Sequence, residues 1–141
     1  IERDGLLDRL DEVGAGSIVF TPLAQGLLTG TYLDGVPADS RAARGKSLDG
    51  ALLTDDHVTR LNGLNEIARA RGQSLAQMAI AWVLRGGRVT SALIGASKAG
   101  QIVECVGALN RPDFTDGELA RIDDLAFEDG VNLWAQSSEE V

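Results

Sequence analysis

Two short runs of this chain join strand-forming residues to small polar ones, and together they could grip a phosphate-bearing ligand. The first is Ser17-Ile18-Val19-Phe20-Thr21, continuing as Pro22-Leu23-Ala24-Gln25-Gly26-Leu27-Leu28-Thr29-Gly30. The second is Ser91-Ala92-Leu93-Ile94-Gly95, continuing as Ala96-Ser97-Lys98-Ala99-Gly100-Gln101. Small residues where a parallel strand ends let an anion approach backbone N–H groups, and a helix starting just beyond adds its positive end. Two such turns side by side would hold a nucleotide cofactor. Taken singly the second is weaker, because Ser97 fits a plain helix N-cap equally well.

The elements that must position these turns follow from periodicity. Residues 2–13 predict a helix with Leu6, Leu7, Leu10 and Val13 on one face. Gly14-Ala15-Gly16 breaks it, and residues 17–21 form an apolar run suited to a strand buried on both faces. Residues 27–53 carry Gly30, Gly35, Pro37, Gly45 and Gly50 with no lasting period and read as a long surface loop, a kind that is usually functional or mobile. Thr54 is the expected N-cap of a helix to Arg71, with Val58, Leu61, Leu64, Ile67 and Ala68 inward and Gly72 as its stop. Ser74-Leu75-Ala76-Gln77 fits a capping box, opening a deeply packed helix with Trp82 in the core that ends at Gly86-Gly87. Strand 91–95 follows. Ile102, Val103, Val106 and Leu109 stripe the next helix, which puts the second turn at a helix N-terminus; Thr115-Asp116-Gly117-Glu118 caps a last one striped by Leu119, Ile122 and Leu125. This order is that of an α/β protein with parallel strands.

Composition excludes several functions. The 141 residues, 44% of them hydrophobic, suffice for one modest domain, and no repeat is evident. Thirteen basic against twenty-one acidic residues give a net charge of -8, which repels nucleic acid and anionic lipid. The apolar stretch 75–84 is about half of what a membrane span requires. Cys105 is alone, so no internal disulfide forms, and with no signal-peptide pattern a cytoplasmic location is expected. Cys105 on an amphipathic helix reads as a small buried hydrophobe. Because the sequence opens at Ile1 in a helical pattern, it reads as entered partway through a longer protein.

At these residues the sequence resembles the aldo-keto reductases, in particular the branch of bacterial glyceraldehyde 3-phosphate reductases and potassium-channel β subunits. The resemblance rests on four stretches: Phe20 to Gly30, Gly35-Val36-Pro37-Ala38-Asp39-Ser40-Arg41, Arg71-Gly72-Gln73-Ser74-Leu75-Ala76-Gln77-Met78-Ala79, and Leu93 to Ala99. The ending Gly130-Val131-Asn132-Leu133-Trp134 matches the reductase type. It implies an α/β fold, the C-terminal portion of a (β/α)8 TIM barrel: residues 1–141 supply strands seven and eight with flanking and auxiliary helices, and the N-terminal part is absent.

The resemblance also implies a cofactor, NADPH/NADP+. Phe20 is expected to pack on the nicotinamide, with Thr21, Pro22, Leu23, Ala24 and Gln25 along the ribose and pyrophosphate. Arg41 would approach the phosphates. Gly95, Ser97, Gln101 and Glu104 would hold the adenosine end, with Ser97 on the 2′-phosphate and Lys98 adding charge. Three positions depart from the pattern: Thr31 replaces a lysine, Asp39 a tyrosine of the channel subunits and Cys105 an asparagine. These changes should weaken the grip on the cofactor.

Carbonyl reduction also needs a general acid, and the family's tyrosine, lysine, aspartate and histidine have no match here. Tyr32, the sole tyrosine, reads as a packing residue and His57, the sole histidine, as a surface one. Trp134 reads as a packing anchor of the tail. No residue is assigned to catalysis or to a metal. The expected function is NADPH-dependent reduction of small aldehydes, glyceraldehyde 3-phosphate among them, by the intact protein. The alternatives are an NADP(H)-binding regulatory subunit and an inactive truncated fragment. A homo-oligomer stays open.

Overall fold

The two apolar runs pair in a parallel two-stranded sheet, β1 (Ile18–Phe20) and β2 (Ser91–Leu93), with Ile18 opposite Ser91, Val19 opposite Ala92 and Phe20 opposite Leu93. They belong to a computed structural model that describes residues 5–38, 40, 43 and 53–126. β1 is shorter than the run 17–21 because Thr21 turns to φ 57°, out of the extended region. Burial on both faces is not what the sheet has. Alternate side chains point to opposite faces, and Ala92 and Ile94 pack inward while Ile18, Phe20 and Leu93 are 72%, 64% and 61% exposed.

Parallel strands need a crossover, which α2 (Asp55–Ala70) and α3 (Leu75–Leu84) provide. Both start where their caps predict. The Thr54 hydroxyl accepts the His57 N–H at 3.3 Å and lies 3.0 Å from the His57 ring Nδ1, so His57 belongs to a helix cap. Gly72 reverses the chain at φ 71°, a left-handed conformation that favours glycine. Ser74 and Gln77 then close a reciprocal capping box, with bonds of 3.2 and 3.0 Å.

The main core lies between α2, α3 and α5 (Asp116–Leu125), where Leu61, Leu64, Ile67, Leu75, Met78 and Ile122 meet. Tyr32 joins them at 3% exposure, so the start of the long loop is pinned by the packing role read from its sequence. Trp82 is half-buried at the edge of this cluster. Each fully buried aliphatic side chain here contributes about 1.5–3 kcal/mol. A second cluster, Ile80, Ala81 and Ala108, ties α3 to β2 and to α4 (Ala99–Val106).

Two amphipathic stripes differ from expectation. In α1 (Leu6–Glu12) Leu7 is buried but Leu6 and Val13 are exposed; residues 1–4 lie outside the described ones. In α4 and the helical turn that follows it (Gly107–Asn110), the large residues Ile102, Val103, Val106 and Leu109 are exposed, and the smaller Cys105 and Ala108 turn inward. The cause is a close approach to α3. A Cβ on Gly107 would sit 2.4 Å from the Gln77 amide nitrogen, so only the small side of α4 fits against that helix.

At the amino end of the sheet, Thr90 and Ser91 donate to the Ser17 carbonyl at 3.0 and 3.1 Å, and Ser17 N–H donates to Thr90 Oγ1 at 3.0 Å. Arg88, from the same turn, reaches Asp8 at 2.5 Å and Asp11 at 3.2 Å and so attaches α1. No helix among the described residues is long and apolar enough to cross a membrane. Asp39, Arg41, Gly45, Gly50 and the run from Gly130 to Trp134 lie outside the described residues.

Candidate functional site

The register of the sheet decides where the two turns lie. Because β1 and β2 run parallel with Phe20 opposite Leu93, the segments Thr21–Gln25 and Gly95–Glu104 leave the same end of the sheet, side by side. Phe20 and Leu93 lie on its exposed face and form an apolar platform at that edge. Leu93 was not singled out from sequence; its signal was the alternation that puts it on the same face as Phe20.

The turn after β1 is strained. Thr21, Ala24 and Gln25 hold φ of 57°, 45° and 58°, and Gly26 follows at 100°. For a β-branched residue such as Thr21 this region is a true outlier, and each such residue costs on the order of 1–3 kcal/mol. The turn is stitched by its own backbone: Ala24 donates to Thr21 at 3.0 Å, and Gly26 and Leu28 donate to Leu23 at 2.9 and 3.2 Å. Thr29 Oγ1 donates to the Gly26 carbonyl at 2.7 Å and accepts from the Thr31 N–H at 3.3 Å. Thr31 thus serves the turn where relatives were expected to place a lysine. Within this loop Gln25 Oε1 is buried with no hydrogen-bond partner. A buried carbonyl oxygen left unpaired costs about 1–3 kcal/mol. Strain and an unpaired acceptor thus meet in one loop.

The turn after β2 is held by one side chain. Gln101 Oε1 accepts from the Ser97 N–H at 2.8 Å, the Lys98 N–H at 3.2 Å and the Ser97 hydroxyl at 3.2 Å. Lys98 is the N-cap of α4, so Ser97 does not have the capping role its sequence allowed. Ser97, Gly95, Gln101 and Glu104 are all exposed. The Glu104 carbonyl accepts from Gln77 Nε2 at 3.1 Å, which fixes α4 against the start of α3. Burial, with Glu104 adding to it, pushes the Cys105 thiol above its ordinary pKa, so it stays protonated and half-buried. Pro22 and Leu23 are half-buried beneath the first turn, and Arg41 lies outside the described residues.

Neither turn carries a general acid beside a cation. Chemically the edge offers an apolar platform, a strained loop with an unpaired acceptor, and a hydroxyl-bearing helix start.

The model of the aldo/keto reductase family matches residues 1–126. The L-glyceraldehyde 3-phosphate reductase of Escherichia coli (strain K12) is 50% identical over 143 aligned positions, covering 99% of this chain and 41% of that protein. A probable voltage-gated potassium channel subunit beta of Oryza sativa subsp. japonica is 47% identical over 100 positions, 69% of this chain and 30% of that protein. A putative channel subunit beta of Schizosaccharomyces pombe is 38% identical over 129 positions, 88% of this chain and 37% of that protein. The chain spans about two fifths of the length of the first of these relatives.

Proposed function

We propose, since this chain belongs to the aldo/keto reductase family, that it forms the cofactor-gripping part of an NADPH-dependent reductase of small aldehydes. Glyceraldehyde 3-phosphate is the first substrate to try, because a relative that covers 99% of this chain is named for it. The observation that carries this reading is the parallel register, which sets the strained Thr21–Gln25 turn beside the Gly95–Ser97 turn at one sheet edge.

The residues present fit a dinucleotide. The Phe20 and Leu93 platform suits a planar ring, the orphaned Gln25 oxygen awaits a donor, and the exposed Ser97 hydroxyl can turn to a 2′-phosphate. Thr21, Pro22, Leu23 and Ala24 would line the ribose and pyrophosphate, Arg41 would counter the phosphates, and Gly95, Gln101 and Glu104 would border the adenosine. Once bound, the cofactor would supply a hydride to a carbonyl carbon. This chain's part is to bind and orient, while the general acid would come from another part of the protein.

The fold reading follows the same line. We take residues 1–141 as the C-terminal part of a (β/α)8 barrel, with β1 and β2 as its seventh and eighth strands. Support comes from the apolar surface the chain exposes, including an open groove of about 260 Å3 lined by Ile80, Leu84, Ala92, Ile94, Cys105 and Val106. The preceding part of the same protein would cover it.

The test is direct. Full-length protein with NADPH should consume the reduced nicotinamide when given glyceraldehyde 3-phosphate or simple aldehydes, and the isolated 141 residues should not. No loss of nicotinamide absorbance with any aldehyde overturns the reading. A second reading, an NADP(H)-binding regulatory subunit, draws on the channel-subunit relatives; a stable membrane partner retained in a pull-down would favour it.

A further inference from the structure

We propose that the intact protein divides at a seam through Gly14-Ala15, where residues 17–126 close as one body and dock onto the preceding part, which keeps α1, with Arg88 clasping Asp8 and Asp11 across the seam. The inference rests on the barrel placement above and says where that barrel parts. Among the described residues, no exposed large apolar side chain lies on α2, α3 or α5. Their side-chain caps, and the buried Arg71 with its bonds to Gln73, Arg111, Asp113 and Glu118, lie wholly within residues 54–118. The unfinished surface is elsewhere. Ile18 on the sheet and Val103 and Val106 on α4 are 72%, 72% and 58% exposed, and no third strand pairs with β1 or β2 among the described residues. Open strand edges beside exposed apolar side chains call for a partner that brings its own strands and an apolar helix face. The remainder of a barrel brings both.

α1 sides with that partner. Leu7 is its one buried residue, and it belongs to neither core cluster of the described residues. Arg88 holds the helix from across the seam, reaching Asp8 and Asp11 at 2.5 and 3.2 Å. Exposed pairs of this kind are weak, so they set the register of docking while the apolar surface drives it. The linker between is bare. Residues 11–16 are exposed, and a Cβ on Gly14 would meet nothing within 4 Å, whereas one on Gly16 would lie 2.7 Å from Thr90 Oγ1. Ser17 is already fixed on the far side, its N–H donating to Thr90 Oγ1.

The test inserts a protease recognition sequence between Gly14 and Ala15 of the full-length protein, where an exposed turn accepts one, and cuts it there. The two pieces should elute together from a size-exclusion column, one copy of each, and the α2 and α3 amides should stay as protected from hydrogen exchange as in uncut protein. Arg88→Ala should weaken association of the cut pieces about threefold to fivefold, the worth of an exposed ion pair. Pieces that separate on cutting, α2 and α3 amides that lose protection, or an insertion that unfolds the uncut protein would each overturn the seam. Association untouched by Arg88→Ala overturns the clasp. Turnover is read separately: an uncut wild-type protein that consumes no nicotinamide with any aldehyde overturns the cofactor reading, while co-elution of the cut pieces still supports the seam.

Discussion

The Arg71 guanidinium lies 2.6 Å from the Glu118 carboxylate, with the Arg71 side chain almost entirely removed from solvent. It also stacks 3.7 Å over the Phe114 ring and donates to the Arg111 and Asp113 carbonyls at 3.1 and 2.9 Å. One residue at the corner between α2 and α3 thereby holds the start of α5. Such a pair is only modestly favourable as a whole, but removing one partner leaves the other exposed to a large desolvation penalty. Arg71→Ala should therefore cost about 3 kcal/mol in the full-length protein, measured by urea denaturation. A loss below about 1 kcal/mol would show that α5 does not depend on this corner.

Glu118 gives the pair a pH dependence. The Thr115 backbone N–H first, and the Arg71 charge after the opposing effect of burial, hold its carboxyl below the usual carboxylate range. The unfolded chain then takes up the proton first as pH falls. Stability from Glu118 is full above the unfolded value of about 4.3 and is lost as pH drops through the lower folded value. Wild type should lose more of its melting temperature than Glu118→Gln between about pH 6 and pH 3. Parallel losses would remove the linkage.

Much of this architecture is local, and that is why the residues announced it. Thr54, Ser74 with Gln77, and Thr115 with Glu118 cap their helices through bonds spanning three residues, visible in any window of the chain. The orientation of α4 is not local. It follows from Gly107 lying against Gln77, thirty positions away, which overrides the larger apolar stripe. Arg71 was likewise hidden, because its partners Arg111, Asp113 and Glu118 are forty or more residues distant. At the site, the two turns were legible as strand ends, whereas the left-handed Thr21 and Gln25 were not, since nothing in a threonine or glutamine signals positive φ.

Gly107 supplies a second test of that close approach. A methyl group there would meet the Gln77 amide nitrogen at 2.4 Å, and that amide already donates to the Glu104 carbonyl while its oxygen serves the α3 capping box. Gly107→Ala should expel Gln77 and cost about 1–2 kcal/mol, the worth of a lost cap. Gln77→Ala should cost a similar amount and make Gly107→Ala nearly neutral in its background. Additive losses in the double variant would show that the two residues do not share one interaction.

If the sheet edge binds NADPH as proposed, Ser97 and Gln101 separate phosphate recognition from loop shape. Ser97→Ala removes only a hydroxyl that now donates to Gln101, while the Gln101 bonds to the Ser97 and Lys98 N–H groups stay intact. It should weaken NADPH about tenfold and leave NADH unchanged, as expected of a lost charge-assisted hydrogen bond. Gln101→Ala releases both N–H groups and should weaken the two cofactors alike. Unaltered discrimination in Ser97→Ala refutes the 2′-phosphate contact.

The exposed stripe of α4 tests whether this chain is one part of a larger barrel. Val106 lines the open groove beside β2, and Val103, 72% exposed, continues the same apolar surface. If the preceding part of the protein covers that surface, Val106→Asp buries an unpaired carboxylate in the full-length protein and should lower its stability by several kcal/mol, on the order of 3. In the isolated chain the same carboxylate would stay hydrated, so solubility should rise and the helical circular dichroism signal should hold. The two backgrounds thus move in opposite directions only if the groove is covered by neighbouring chain. A full-length protein that tolerates Val106→Asp without loss would leave the groove a true outer surface and remove the barrel placement of α4.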